Sequence, residues 1–128
     1  MSNSRRAAHA NRYRTGYLRS RQWFARRDRW FREHGSLRCA GCDREATRSQ
    51  VELHHLSYEG VHYANGGWSA QEAHDDLWPM HPACHELLHR IIDKDPVLAR
   101  HRNRQQASEA ARRLIRTRFG VGGTHEQR

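Results

Sequence analysis

The chain contains one lysine, Lys94, only three cysteines, and no long apolar run. Each scarcity excludes something. No stretch approaches the ~18 consecutive apolar residues that a membrane span requires, so no membrane partner is expected. The opening stretch MSNSRRAAHANRYRTG lacks the apolar centre of a secretory signal. Three cysteines are an odd number, which suits neither a disulfide framework nor an oxidising compartment. Together these readings predict a cytoplasmic, intracellular protein.

What is present is positive charge. Lys and Arg total 23 against 14 Asp and Glu, a net charge of +9 over 128 residues. The isoelectric point is about 10.7. With a single lysine, nearly all of this charge is guanidinium, which binds phosphate in a bidentate fashion and never deprotonates. An Arg-rich basic domain with aromatic residues among the charge points to a nucleic-acid partner. The plainer alternative is a solvated basic face.

Composition divides the chain. Residues 1–14 read as a flexible basic arm. Residues 15–35 read as a basic amphipathic helix, continuous from about Tyr17 to His34 and stopped by Gly35. Tyr17, Phe24 and Phe31 recur every seven positions, and Trp23 and Trp30 repeat that spacing one residue earlier. Core packing explains those aromatics better than base stacking. Residues 36–92 collect the cysteines and most histidines. Strands are expected near Gln50–His54 and Leu77–Met80, with ANGG at 64–67 as a loop or hairpin tip. A helix follows from about Pro82 to Ile92. Residues 93–119 read as a C-terminal basic helix, with Asp95 as N-cap and Pro96 as first helical residue. Residues 120–128 read as a tail.

Cys39 and Cys42 form CAGC, and His81 and Cys84 form HPAC with the same spacing. Two residues apart in the gap, a pair can grip one metal from a single turn. Two pairs supply the four ligands of tetrahedral structural zinc. A redox Cys-x-x-Cys is less apt, because no βαβ pattern surrounds it. A surface role for His81 would leave three cysteines without a fourth ligand. In a chain this polar, metal binding contributes directly to folding.

HELLH places His85 and His89 four residues apart, on one helix face, where they can share a metal. Two surface histidines fit that spacing equally well. In VELHHLSYEG, strand alternation turns His54 and His55 to opposite faces, so they cannot easily do the same job.

The ordered set CAGC, ELHHLSYEG and DDLWPMHPACHELLH, from Cys39 to His89, resembles the HNH endonucleases of ββα-metal fold, in their zinc-bearing branch. ELHH and HELLH are also similar to the nuclease domains of DNase colicins. The resemblance covers about 50 of the 128 residues. It implies an α+β fold: a small ββα-metal (HNH) core with a structural zinc knuckle, flanked by N-terminal and C-terminal basic helices. It implies His54, His85 and His89 as ligands of a catalytic divalent metal and His55 as general base. Asp76 stands where the family usually has an asparagine that braces the loop carrying the base. An ionised aspartate cannot donate hydrogen bonds as asparagine does, and a loop-capping role fits it equally. His81 stands where the zinc-bearing branch usually has cysteine.

The implied activity is metal-dependent hydrolysis of DNA phosphodiester bonds. Three imidazole ligands favour Zn, Ni, Co or Mn, while Mg becomes more apt without His89. Arg44, Arg48 and Arg90 are candidate phosphate clamps, or equally solvated surface arginines. Two other readings stay open. One is a non-catalytic zinc-stabilised nucleic-acid-binding module, which leaves the four extra histidines without a purpose. The other is a His-rich metal-binding protein with incidental charge.

Overall fold

The computed structural model describes residues 14–120. The arm expected at 1–14 and the tail expected at 120–128 lie outside the described residues except for Arg14 and Gly120. Ser20 decides how the chain begins. Residues 14–18 are helical, and helix α1 (Arg21–Arg32) then starts anew. Ser20 is extended, at φ −80° and ψ 154°. Its hydroxyl accepts the Trp23 N–H at 3.1 Å and donates to the Tyr17 carbonyl at 2.6 Å. A serine that satisfies backbone groups on both sides competes with helix continuation. The helix expected over Tyr17–His34 is therefore two segments, and the seven-residue aromatic repeat is not one stripe. Tyr17, Trp23 and Trp30 are buried, whereas Phe24 is exposed.

Short antiparallel pairs follow. β1 (Leu37–Arg38) pairs with β2 (Glu45–Ala46), closing a hairpin around the CAGC turn. β3 (Glu52–His55) pairs with β6 (Leu77–Met80), with His54 opposite Trp78 and His55 opposite Leu77. Between them, β4 (Val61–Ala64) and β5 (Gly67–Ala70) form a hairpin turning at Asn65 and Gly66, both at positive φ. That is the Asn-Gly geometry favoured in two-residue turns.

Three helices complete the fold: α2 (Pro82–Lys94), α3 (Pro96–Arg100) and α4 (Arg104–Arg118). Asp95 caps α3 by accepting the Val97 N–H at 2.9 Å. The single helix expected from Pro96 to Phe119 is broken at 101–103. Asn103 and Gln106 form a reciprocal capping box there, with bonds of 2.8 and 3.2 Å. Starting α4 anew satisfies two backbone donors and lets it fold back onto α2.

The result is a small α+β protein with three two-stranded sheets among the described residues. One apolar cluster joins Met80, Leu88, Ala111 and Ile115 to the cysteines. The other joins Tyr17, Trp23, Trp30, Leu37, Leu53, Val61 and Leu77. Each fully buried aliphatic side chain contributes about 1.5–3 kcal/mol. No helix among the described residues is long and apolar enough to cross a membrane.

One backbone crossing positions the hairpin relative to the chain leaving it. Gly60 accepts the Gln71 N–H at 2.9 Å. A Cβ on Gly60 would lie 2.3 Å from the Gln71 carbonyl oxygen and 2.7 Å from the Glu72 nitrogen. Backbone cannot rotate away as a side chain can. Gly60→Ala is therefore expected to destabilise the protein by about 1–3 kcal/mol, measured by urea unfolding.

Candidate functional site

Among the described residues, two clusters of potential metal ligands emerge. Cys39, Cys42, His81 and Cys84 offer ligand atoms that all lie within 4.8 Å of one another, as do His54, His85 and His89. Each cluster unites distant segments through the β3–β6 pairing and helix α2.

The first cluster joins the β1–β2 turn to the start of α2. Cys39 N–H donates to the Arg44 carbonyl, and Asp43 N–H to the Cys39 carbonyl, both at 2.9 Å. Gly41 passes so near α2 that a Cβ there would lie 2.9 Å from the Cys84 Cβ. His81 N–H donates to the Cys39 sulfur at 3.3 Å, and His81 Nδ1 lies 3.5 Å from the Cys42 sulfur. Burial pushes the Cys39 thiol up, but backbone N–H groups of Cys42, His81 and Gly41 outweigh it, and its pKa falls. Cys84 is pushed up to about 12, by burial first and then by Cys39 and Cys42. Three sulfurs this close cannot all ionise without a cation among them. Zinc with Zn–S of about 2.3 Å and Zn–N of about 2.0 Å needs ligand atoms roughly 3.3–3.8 Å apart. The Cys3His set can hold a structural zinc.

The second cluster lies across β3 and α2. His54 Nδ1 is 3.1 Å from His85 Nε2, and His89 Nε2 is 3.1 Å from the same atom. The outward nitrogens of His54 and His85 have oxygen partners. His54 Nε2 lies 2.8 Å from Ser108 Oγ on α4, and His85 Nδ1 lies 2.8 Å from Glu52 Oε1. Convergent ring nitrogens backed by oxygen partners are the pattern of ligating histidines. Burial depresses His54 to about 2, helped by Arg104, His85 and His89. Burial also depresses His89 to about 4, helped by His85 and Arg104. Both rings are neutral at pH 7, the form a metal requires. The donor set fits a divalent transition ion.

His55 belongs to a different set. Its Nε2 lies 2.7 Å from Glu72 Oε2. Its ring stacks on Tyr58, with centroids 4.2 Å apart and planes 7° from parallel. Trp23 and Tyr17 flank it at 4.6 and 6.0 Å. Burial lowers its pKa, against the opposing Glu72 hydrogen bond and charge. The two adjacent histidines thus share no hydrogen-bonding partner.

Both line one cavity of about 650 Å³ with His85 and His89. Arg14, Arg102 and Arg104 line it too, together with the carboxylate of Asp93. None of those three arginines forms an ion pair among the described residues. Arg104 Nε donates to the His55 carbonyl at 2.6 Å. Arg14 and Arg104 each sit 5.1 Å from the Tyr58 ring centroid. The arginines singled out in the sequence lie elsewhere. Arg48 pairs with Asp28, Arg90 pairs with Glu86, and neither they nor Arg44 line this cavity. Asp76 meets the His55 segment through main chain, its carbonyl accepting the Leu56 N–H at 2.7 Å.

Glu72, Ser108, Glu52, Arg14 and Arg104 were not anticipated. Glu52 carried a local signal, since i and i+2 on a strand share a face and place it beside His54. The others depend on long-range packing.

Two outcomes are expected. Purified protein should carry at least one zinc equivalent by elemental analysis, held by the Cys3His set. Cys39→Ser should lose it and lower Tm by about 10 °C or more, whereas His85→Ala should retain it. In metal-free protein, stability should decline as pH falls from 6.5 toward about 4, the window set by His89. There the unfolded chain binds protons that the native rings refuse, so unfolding becomes easier as pH drops. Urea unfolding in chelator from pH 7 to 4 measures this.

The chain matches no family model, no curated protein and no solved structure. The functional reading therefore rests on the residues themselves.

Proposed function

We propose that this protein is a metal-dependent endonuclease of the ββα-metal (HNH) type that hydrolyses DNA phosphodiester bonds. The observation that carries the reading is the division of labour at His54 and His55. One ring joins His85 and His89 around a common point, and its neighbour turns away to a carboxylate. A metal-binding protein needs only the first arrangement; a hydrolase needs a ligand set and a base side by side.

In this reading His54, His85 and His89 hold the catalytic divalent ion, with Zn, Ni, Co or Mn preferred and Mg less so. Such an ion supplies Lewis acidity toward the phosphate and the leaving oxygen. His55 is the general base, taking the proton of the attacking water. Its depressed pKa keeps the ring neutral at pH 7, and Glu72 stabilises the imidazolium that forms. Arg14 and Arg104, without carboxylate partners among the described residues, hold the phosphodiester by charge and hydrogen bonds. The zinc-held knuckle fastens the start of α2 to the strands. Affinity would come mainly from arginine–phosphate contacts, hence salt-sensitive and weakly sequence-selective.

One observation favours a second reading, a non-catalytic zinc-stabilised nucleic-acid-binding module. His55 is 2% exposed and lies between aromatic rings, as a structural core histidine would. Supercoiled plasmid separates the two. Protein with Zn, Ni, Co, Mn or Mg should nick it, chelator should abolish nicking, and His55→Ala should slow it about 10²-fold or more. Nicking indifferent to both treatments would reject the mechanism. Binding without nicking under every metal would favour the module.

A further inference from the structure

The sequence assigns no purpose to Glu72, yet one of its carboxylate oxygens meets two buried side chains from distant segments. It is 3% exposed, on the segment that leaves the β4–β5 hairpin. Its Oε2 lies 2.7 Å from His55 Nε2 and 2.7 Å from the Tyr17 hydroxyl. We infer that Glu72 is the positioning residue for His55, fixing the ring as the tautomer protonated at Nε2 and leaving Nδ1 as its only proton-accepting atom. The catalytic consequence rests on the proposed nuclease reading; the tautomer does not.

The tautomer follows from a count of donors. Two hydrogen bonds meet at one carboxylate oxygen, and an ionised carboxylate can only accept. Burial pushes the Glu72 carboxyl up, but hydrogen bonds from His55 and Tyr17 outweigh it and hold it below the ordinary value. Burial and Glu72 together raise the Tyr17 phenol, so it stays protonated and donates. His55 must then donate as well, through Nε2. A neutral imidazole carries one proton, so Nδ1 is bare.

The carboxylate is itself held in place. Arg26, 3% exposed, donates from Nε and Nη2 to the Glu72 carbonyl at 3.2 and 2.8 Å. Its Nε also lies 3.9 Å from Glu72 Oε1, giving the buried charge a countercharge. Arg26 Nη2 reaches His74 Nδ1 at 2.6 Å. A guanidinium has no acceptor, so His74 accepts there and donates through Nε2 to Glu33. The polarity of the chain from Glu33 to His55 is thus determined at every link. Tyr58 stacked on the imidazole sets the ring plane.

Stability alone does not explain such an arrangement. A buried ion pair is often no better than apolar residues of the same volume, and removing one member leaves an uncompensated charge. Orienting a base through a third group is the recurring reason for a buried acid beside a histidine.

The decisive measurement is a long-range 1H–15N correlation spectrum of the histidine rings in labelled, zinc-loaded, full-length protein at pH 7. His55 should show a protonated Nε2 and a bare Nδ1. Glu72→Gln, with zinc content and circular dichroism unchanged, should show a mixed tautomer and nick plasmid about 10²-fold more slowly. Glu72→Asp, keeping the charge, should recover part of both. A wild-type His55 protonated at Nδ1 overturns the inference without any variant. So does an unaltered tautomer in Glu72→Gln, or nicking by Glu72→Gln at the wild-type rate. If wild-type protein shows the expected tautomer but nicks no plasmid with any metal, the nuclease reading falls and the assignment of the ring stands.

Discussion

Consecutive residues of a β-strand face opposite ways, and β3 applies that constraint to two histidines. His54, with Glu52, faces α2 and α4, where His85, His89 and Ser108 wait. His55, with Leu53, faces the aromatic cluster of Tyr17, Trp23 and Tyr58, where Glu72 is buried. A one-residue slip of β3 against β6 would exchange the two sets and leave both without partners. The pairing register is therefore what makes the rest of the site consistent.

The two faces handle charge differently. On the His54 face, three imidazoles converge at hydrogen-bonding distances, and burial and Arg104 keep His54 and His89 neutral. Neutral, convergent nitrogens attract a cation. On the His55 face the ring shares a buried anion with Tyr17 and Arg26. The cavity that both rings line carries arginines without carboxylate partners among the described residues, which suits an anionic ligand. In the proposed reading, a cation site, an oriented imidazole and an anion-attracting wall within one cavity would serve together in hydrolysing phosphate esters.

Holding these parts together is demanding for a chain of mean hydropathy −1.09. The apolar clusters are modest, and one of them contains Cys39, Cys42 and Cys84. The Cys3His set thus does two things at once. It packs among Met80, Leu88 and Ile115, and it can close around a zinc that no apolar side chain could replace. Because α2 begins at that set and carries His85 directly after Cys84 and His89 one turn further on, metal at the knuckle and geometry at the histidine cluster are mechanically linked.

Sequence by itself determined what depends on neighbours along the chain. The Cys-x-x-Cys and His-x-x-Cys spacings, the His85–His89 step, the Asp95–Pro96 helix start and the Asn65–Gly66 turn are local geometries, each set within a few residues. The restart of α4 was written there too, in Asn103 and Gln106, but a high count of helix formers masked it. Ser20 hid in the same way behind the heptad of aromatics. Tertiary structure alone decided the partners. Glu72 reads as any carboxylate between Gln71 and Ala73, and only the hairpin, closed on Gly60, carries it under His55. Ser108 and Arg104 reach β3 only because α4 folds back over α2, and Tyr17 finds Glu72 across 55 residues. Such contacts are chosen by which surfaces bury best together, a property of the whole chain that no short window contains.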